Sequence, residues 1–333
     1  MTESSVAPSR YDVERAVQFA VRAPSIHNTQ PWRWVFRHGA LELYADRSRQ
    51  LPALDPDGHS LLLSCGGALA LAQLGFAAAG WSSEVDRKPD PDRPDLLARV
   101  RPLGRTPVTP STVELARAAE RRHSERLPFT AGPVPAATVD ALLAAVAGPD
   151  VYGHPVEGPD EKLDLAVAFS WADGVETADP AYRAELARWT RYPDVAAPDG
   201  VPSSAVPHLP AGSPRHTDVP MRDFGVPGGR QVAPEVDEQP LFLVIFTTDD
   251  DRTARLRAGE AYVRLALEVE RLGLASSAMT QAVDLPAVRE RFRVLMNWPD
   301  HPQLVLRVGW PPAGRPAPAT GRRPLSAVLT IED

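Results

Sequence analysis

Apolar residues recur along the chain at helical spacing in some segments and in short continuous runs in others. The first pattern is typical of amphipathic helices and the second of strands. We predict helices over 11–23, 111–121, 135–146, 160–175, 180–190, 252–272 and 285–295, and strands over 32–36, 41–45, 96–103, 241–247 and 304–310. The mixture of the two kinds of element predicts an α+β fold.

One predicted helix stands apart because the segment 61–81 contains no charged residue. Its length meets the criterion for crossing a bilayer. Alanine and glycine dominate it, Ser64 and Gln73 interrupt it, and no second such segment follows. We therefore predict a helix buried on all sides inside a soluble protein, and a membrane anchor is the alternative.

Two glycine-bounded segments of the chain have the same layout. Gly66 and Gly80 enclose thirteen residues of helical pattern, and Gly259 and Gly273 enclose thirteen more. A strand pattern follows each segment later in the chain. Apolar helices that end at a glycine are common, so this likeness is a weak indication that the chain holds two diverged copies of one unit.

No regular structure is predicted between residues 193 and 240, which hold ten prolines and five glycines in 48 residues. Proline breaks helices and central strands, and structureless stretches of this length inside a compact domain are usually functional or disordered. We predict a long loop or lid at about 191–240. Its side chains suited to covering a ligand are Arg215, His216, Met221, Arg222 and Phe224.

Charge and composition exclude several classes of protein. The 333 residues contain 36 Lys and Arg against 43 Asp and Glu, for a formal net charge of −7, which argues against sequence-independent binding of nucleic acid. Only Lys88 and Lys162 are lysines, so lysine chemistry is nearly excluded. The single cysteine, Cys65, permits neither an internal disulfide nor a thiolate zinc cluster. The polar first ten residues lack the core of a signal peptide, and we expect a cytoplasmic protein.

Motifs of several common enzyme sites do not occur in the sequence. It has no Walker loop, no Gly-x-Gly-x-x-Gly, no His-Glu-x-x-His and no Gly-x-Ser-x-Gly, so nucleotide hydrolysis, a Rossmann cofactor site and zinc or α/β-hydrolase chemistry are not expected. The eight histidines are scattered, with no pair at ligand spacing on a helix. We therefore expect no metal site.

The segment 23–34 reads Ala-Pro-Ser-Ile-His-Asn-Thr-Gln-Pro-Trp-Arg-Trp and connects a predicted helix to a predicted strand. Ser25, Asn28 and Gln30 offer hydroxyl and amide groups that can satisfy the polar edges of a heterocycle. The alternative is that these side chains form only local turn hydrogen bonds, while the two tryptophans fill a core. A nucleophilic pair of Ser25 and His27 is a third interpretation, for which no orienting carboxylate is indicated.

A second segment, 121–129, reads Arg-Arg-His-Ser-Glu-Arg-Leu-Pro-Phe. Three guanidinium groups and a hydroxyl within six residues are suited to forked, charge-assisted hydrogen bonds with phosphate oxygens. The alternative is a solvated helix end, where arginines favour the C-terminal dipole. Arg322 and Arg323 add two further cations near the end of the sequence.

With these residues in view, the chain resembles the FMN-dependent nitroreductases, and the Acg branch of that family in particular. The segment 23–32 is similar to the family signature Ala-Pro-Ser-x-x-Asn-x-Gln-Pro-Trp. Residues 122–126 resemble the Arg-x-Ser-x-Lys/Arg motif that opens an ordinary nitroreductase chain, and 322–328 resemble its basic C-terminal motif. The likeness covers most of the chain outside the predicted lid.

The order of the motifs in this sequence differs from that in the family. A typical nitroreductase chain carries all three motifs and pairs with a second copy to build two FMN sites. Here the first half, 1–110, has the Pro-Ser loop alone, while the second, 111–333, has the two arginine motifs and at 147–154 lacks a second loop. The resemblance therefore implies a nitroreductase-like pseudo-dimer within one chain, with one FMN and with the two glycine-bounded helices paired at its centre.

The resemblance also implies roles for individual residues. Arg122, Ser124, Arg322 and Arg323 would face the FMN phosphate, and Arg126 the N1/O2 edge of the flavin. From the opposite half, the ring would be bordered by Pro24, Ser25, Ile26 and Asn28, with Gln30 more peripheral. Residues 278–282, including Met279, Thr280 and Gln281, would lie near flavin N5.

Two functional hypotheses follow from the resemblance. The first is an oxidoreductase that uses NADPH or NADH and transfers hydride through FMN to a small electron-poor acceptor, such as a nitroaromatic or a quinone. The alternative is a non-catalytic FMN-holding protein whose lid shields the flavin. In either case we expect a monomer with internal pseudo-twofold symmetry, no nucleic-acid or membrane partner, and oligomers beyond the monomer left open.

Overall fold

The computed structural model describes residues 7–88, 90–130, 132–192, 197–208, 219–225, 230–231, 238–311 and 319–332. The helices are α1 (Arg10–Ala20), α2 (His59–Ala78), α3 (Pro110–Arg121), α4 (Ala136–Val146), α5 (Gly158–Ala178), α6 (Pro180–Trp189), α7 (Arg252–Arg271), α8 (Gln281–Asp284), α9 (Pro286–Leu295) and α10 (Leu325–Val328). The strands are β1 (Trp32–Arg37), β2 (Ala40–Ala45), β3 (Trp81–Asp86), β4 (Leu96–Arg105), β5 (Val151–Pro155), β6 (Thr190–Arg191), β7 (Val201–Pro202), β8 (Pro207–His208), β9 (Arg230–Gln231), β10 (Leu241–Thr247), β11 (Ala275–Met279), β12 (His301–Gly309) and β13 (Leu329–Ile331).

Two sheets repeat one arrangement of strands. The first has the order β13-β1-β2-β4-β3, and the second, taken from its opposite edge, has the order β5-β10-β12-β11. Strands β1 to β4 pair antiparallel throughout, and so do the corresponding strands of the second sheet. The α+β fold is therefore confirmed, and the shared strand order is consistent with two diverged halves.

Strand β13 connects the end of the chain to the opposite half. It pairs parallel with β1, with Leu329 beside Trp34. The C-terminal segment of the second half thus completes the first sheet, which has one strand more than the other. This crossing also carries Arg322 and Arg323 to the neighbourhood of the Pro-Ser loop.

Helices α2 and α7 pack against each other at the centre of the molecule. A Cβ atom on Gly66 would lie 2.0 Å from the carbonyl oxygen of Leu256, and one on Gly259 would lie 2.0 Å from that of Leu63. Leu63 precedes Gly66 by three residues, as Leu256 precedes Gly259, so the two close approaches are equivalent. The glycines are needed because the helix backbones are too close for any side chain at these positions.

Helix α2 is long and apolar enough to cross a membrane, but 72% of its apolar window is buried inside the protein. A core helix meets the same criteria of length and composition. The predicted all-round burial is accounted for by α7 on one side and by α1, α3 and β3 on others.

The structure corrects several predicted boundaries. Helix α1 ends at Ala20 rather than at residue 23, and α2 ends at Ala78 because Gly80 takes a φ of 77° and turns the chain. Trp81, which the prediction placed inside the helix, instead begins β3. In the two main sheets, strands β3, β5, β11 and β13 were not predicted. Strand β3 is polar on one face and β5 has only one buried residue, Val151, while β11 is mostly buried but consists of small and polar residues before Met279.

The described parts of the predicted lid contain only short elements. Strands β6 and β7 pair with each other, as do β8 and β9, and each has two residues. Val201, Ala205 and Val206 form a small apolar cluster against Phe224. Arg215 and His216, which the prediction placed in the lid, lie outside the described residues.

Candidate functional site

A cavity lies between the Pro-Ser loop and the arginine motif, and residues from the described part of the predicted lid also line it. It encloses about 980 Å³, including its opening to solvent. Its wall is formed by the Pro-Ser loop and α2 from the first half, by the arginine motif, α7 and β11 from the second, and by the lid. The lining residues are Pro24, Ser25, Ile26, His27, Ser60, Leu63, Ser64, Ser124, Arg126, Val201, Pro207, Met221, Arg222, Phe224, Tyr262, Ser277, Ala278, Met279, Thr280, Gln281 and Leu304.

The Pro-Ser loop is held in a compact turn against α2. Ile26 donates its backbone N–H to Ser64 Oγ at 3.1 Å, and Ser25 Oγ accepts the backbone N–H of Gln30 at 3.0 Å. Three residues of the loop have a positive φ, namely His27 at 44°, Asn28 at 55° and Gln30 at 52°. Such backbone strain in residues other than glycine is concentrated at functional sites.

Two predicted ligand residues of this loop face away from the cavity. The Asn28 amide donates to the carbonyls of Gly200 and Gly321, at 3.0 and 3.1 Å. The Gln30 amide donates to Pro198 at 2.7 Å, and its oxygen accepts the backbone N–H of Arg323 at 2.8 Å. These amides therefore tie the loop to the lid and to the C-terminal segment, and neither residue lines the cavity.

The two alternative interpretations of this loop concern its tryptophans and the pair of Ser25 and His27. Trp32 and Trp34 are both buried in the core of the first half, as the structural interpretation expected. Ser25 and His27 form no hydrogen bond with each other in the described part of the chain, where both ring nitrogens of His27 lack a partner. The structure therefore does not assemble the nucleophilic pair.

The arginine motif leaves α3 and runs along the edge of β11. Glu125 donates its backbone N–H to the carbonyl of Ser276 at 2.8 Å, which fixes the motif on the second sheet. Ser124 and Arg126 line the cavity, and the Arg126 guanidinium lies 5.8 Å from the centre of the Phe224 ring. Burial lowers the pKa of Arg126, with the neighbouring charge of Arg122 acting in the same direction.

Three guanidinium groups, those of Arg22, Arg122 and Arg322, gather beside the motif. Burial, together with the positive charges of Arg122 and Arg22, lowers the pKa of Arg322 to about 9. The Nε atoms of Arg122 and Arg322 are buried without a hydrogen-bond partner. Within the described residues, none of the three has a carboxylate oxygen within 4.0 Å. Arg122 and Arg322, each with an open Nε donor, and the exposed Arg22 form a site suited to an anion such as a phosphate.

The arginines at this site differ from those predicted to face a phosphate, because Arg22 is added and Arg323 has other partners. Arg22 was not predicted, although a cation directly before the Pro-Ser loop is the signal that would have found it. Arg323 was predicted but has other partners, since it lies 3.5 Å from Asp46 and donates to the carbonyls of Gln30 and Ala327 at 3.1 and 2.9 Å. Its guanidinium thus holds the C-terminal segment against the first half.

Met279 at the end of β11 and the two residues after it, which the resemblance placed near flavin N5, line the cavity. Met279 and Gln281 are buried and Thr280 is half-buried, and all three line the wall. Thr280 Oγ1 donates to Asp284 at 2.8 Å, and the Gln281 amide approaches the carbonyl of Pro220 at 3.4 Å. Gln281 of α8 therefore contacts the segment predicted as a lid.

A buried ion cluster anchors the lid. Arg222 lies 2.7 Å from Asp284 and 3.3 Å from Glu176, and also donates to the Tyr182 hydroxyl. Burial raises the pKa of Glu176 to about 7 and also raises that of Asp284. One guanidinium thus bridges α5, α6 and α8 to the lid, and it places Met221 and Phe224 on the cavity wall.

Relatives of the chain cover nearly its full length. A Mycobacterium tuberculosis (strain H37Rv) protein named "Putative NAD(P)H nitroreductase Rv3131" is 37% identical over 330 residues, which are 97% of this chain and 92% of the relative. The chain belongs to the nitroreductase family. Another relative from the same strain, "Putative NAD(P)H nitroreductase acg", is 34% identical over 321 residues, 96% of this chain and 95% of the relative, which confirms the Acg-like resemblance. No family model matches the chain.

Among solved structures, this nitroreductase is similar to a nitroreductase with bound FMN from Bacteroides fragilis. The alignment covers 66% of this chain and 99% of that chain, with 13% identity and a TM-score of 0.42. Within this nitroreductase, the fold brings Pro24, Ser25 and Ile26 to one cavity with Ser124 and Arg126, although 98 residues or more separate the two groups in sequence.

Proposed function

We propose that this nitroreductase binds one FMN in the cavity between its halves. The observation that carries the proposal is the group of three guanidiniums, Arg22, Arg122 and Arg322, which lacks carboxylate partners in the described chain. A phosphate with nearly two negative charges would compensate these cations and accept from the open Nε atoms. None of these three arginines lines the cavity; Ser124 and Arg126, which belong to the same motif as Arg122, do line it and connect the group to it.

The remaining cofactor contacts follow from the cavity wall. We assign the phosphate to Arg122, Arg322 and Arg22 with Ser124, and the electron-rich edge of the flavin to Arg126. The flavin ring would be bordered by Pro24, Ser25 and Ile26 from one half and by Met279, Thr280 and Gln281 from the other. Asn28, Gln30 and Arg323 support this site indirectly by holding the loop, the lid and the C-terminal segment together.

We infer an oxidoreductase that takes hydride from NADPH or NADH and passes it to a small electron-poor acceptor, a nitroaromatic or a quinone. FMN, when bound, supplies the site that accepts and returns the hydride. The contribution of this chain is electrostatic, because the Arg126 guanidinium stabilises negative charge that develops at the flavin edge. The apolar lid residues Met221 and Phe224 exclude water from the same space. We place the activity in a cytoplasmic monomer.

A second function is favoured by the position of the lid. Five lid residues, Val201, Pro207, Met221, Arg222 and Phe224, line the cavity. A lid that stays closed over the flavin would leave too little room for a nicotinamide. The protein would then hold FMN without turnover.

One anaerobic experiment separates the two functions. Protein loaded with FMN is mixed with excess NADPH and, separately, NADH, and the visible absorbance of the flavin is followed. The enzyme predicts bleaching by at least one nicotinamide, followed by recovery of the absorbance when a quinone is added. Persistent absorbance with both nicotinamides, alongside bleaching by dithionite, would leave the FMN-holding function.

A further inference from the structure

His27 is a buried polar residue of the cavity wall for which the proposed cofactor contacts give no role. Its side chain is 7% exposed, and both ring nitrogens lack a hydrogen-bond partner within the described residues. Leaving such a group unsatisfied costs free energy, so native proteins rarely retain one without a ligand or a function. The backbone of His27 is strained as well, with φ at 44°.

The surroundings of His27 define what it can bind. Its ring meets the Phe224 ring edge to face, with centres 5.8 Å apart, so the imidazole lies on the lid side of the cavity. Burial, helped by the charges of Arg222 and Arg126, holds the pKa of His27 well below its usual value. The ring is therefore neutral at physiological pH and offers one N–H donor and one acceptor nitrogen.

The neighbouring groups favour an oxygen atom as the partner. Arg222 is already engaged by Asp284 and Glu176, whereas Arg126 has no carboxylate within 4.0 Å in the described part of the molecule. An oxygen atom beside His27 would thus accept a hydrogen bond from the ring N–H, and the positive charge of Arg126 would strengthen that bond. Ile26, Met221 and Phe224 supply apolar walls around this position.

We propose that His27 donates a hydrogen bond to the oxygen of a second ligand, a flat and largely apolar molecule held between the flavin and the lid. The proposal rests on the FMN site described above and adds a residue that selects the acceptor. A site built to hydrogen-bond a ligand oxygen discriminates strongly against an analogue that lacks it. His27 would therefore favour quinones and nitroarenes over hydrocarbons of the same shape.

The test measures binding to the FMN-loaded, oxidised protein by equilibrium dialysis. The probes are 2-methyl-1,4-naphthoquinone and 2-methylnaphthalene, which share their carbon skeleton but differ in the carbonyl groups. The matched variants are His27→Leu and His27→Asn, since leucine and asparagine have similar shapes and only asparagine keeps a donor. We expect His27→Leu to weaken quinone binding roughly tenfold and to leave hydrocarbon binding unchanged. We expect His27→Asn, which also tolerates a positive φ, to recover most of the quinone affinity.

The outcomes separate this proposal from the proposed function. If wild-type protein does not retain FMN, the proposed function is wrong. If it retains FMN but binds no quinone, or if His27→Leu and wild type bind the quinone equally, the assignment of His27 is wrong. A loss of FMN affinity in His27→Leu with unchanged quinone affinity would place His27 on the flavin and would also overturn the proposal. Should His27→Leu fail to fold, His27→Gly removes the ring at a residue that adopts this φ freely.

Discussion

Replacing Arg322 with methionine should change stability and cofactor binding in opposite directions. In the flavin-free protein, Arg322 is a partly buried cation whose pKa is lowered by burial and by the nearby charges of Arg122 and Arg22. Methionine keeps the apolar stem of the side chain and removes the charge. We therefore expect Arg322→Met to raise the free energy of unfolding of the flavin-free protein and to weaken FMN binding.

The magnitude follows from the lowered pKa of Arg322. The pKa of Arg322, about 9, lies well below that of an ordinary arginine, and at 1.36 kcal/mol per pH unit the difference corresponds to a cost of about 5 kcal/mol for holding the charge. Hydrogen bonds from Nη1 to Thr320 and to the carbonyl of Gly321, at 2.6 and 2.8 Å, offset part of this cost. With about 3 kcal/mol lost for these bonds to a charged group, a net gain of about 1–2 kcal/mol remains.

The effect on cofactor binding has the opposite sign. Loss of one charge-assisted contact to the phosphate costs about 2 kcal/mol, which corresponds to a roughly thirtyfold higher Kd for FMN. Urea denaturation of the flavin-free protein measures the first effect, and quenching of FMN fluorescence measures the second.

A control variant removes a buried arginine that has an acidic partner. Arg307 lies 2.9 Å from Glu238 and is fully buried, so Arg307→Met should destabilise the protein by about 3–5 kcal/mol. If Arg322→Met also destabilises the flavin-free protein, or leaves the Kd for FMN unchanged, the three arginines do not form an uncompensated anion site.

Three further predictions concern the core and the lid. Gly259→Ala should destabilise the protein by about 1–3 kcal/mol in urea, because its methyl group would meet the backbone of Leu63, while Gly174→Ala, on the exposed face of α5, should stabilise it by up to about 1 kcal/mol. Burial raises the pKa of Asp55 to about 7. The energetic penalty for its buried charge is therefore absent below pH 3.8, the value of an ordinary aspartate, and complete above about pH 7. Between these values, the free energy of unfolding of the wild type should fall relative to that of Asp55→Asn by about 1.4 kcal/mol per pH unit. Arg222→Gln should leave two buried carboxylates without their cation and speed proteolysis within 197–225 at least tenfold, as followed by mass spectrometry of the fragments.

Each of these predictions has an outcome that would contradict it. Equal effects of alanine at Gly259 and Gly174 would mean that α2 and α7 are not in close contact. Parallel stability curves of wild type and Asp55→Asn between pH 4 and pH 7 would show that Asp55 is charged throughout. Unchanged cleavage of Arg222→Gln would show that the ion cluster does not hold the lid.

The sequence predicted most helices and central strands because their patterns are regular. Helix α2 was recognised from its lack of charge, and its partner α7 from the shared glycine spacing. Strands β3 and β5 were missed because they have few buried side chains and therefore carry little alternation, and β11 was missed because its residues before Met279 are small or polar. The crossing of β13 to the first sheet was not predictable from local pattern, since its partner β1 lies almost 300 residues away in sequence.

The candidate site was predicted in its motifs but not in its details. The sequence identified the Pro-Ser loop and the arginine motif, which the fold brings together. It could not show that Asn28 and Gln30 bind backbone carbonyls, or that Arg323 pairs with Asp46, because those partners lie in distant segments. Arg22 and His27 also escaped notice as ligand residues, since their open hydrogen-bonding groups are visible only in three dimensions.

The most direct test of the central claim is a titration of the flavin-free protein with FMN and, in parallel, with riboflavin. A single site whose phosphate is held by Arg22, Arg122 and Arg322 predicts one FMN per chain and binding of riboflavin at least about 100-fold weaker. Two FMN per chain, or equal affinities for FMN and riboflavin, would contradict it.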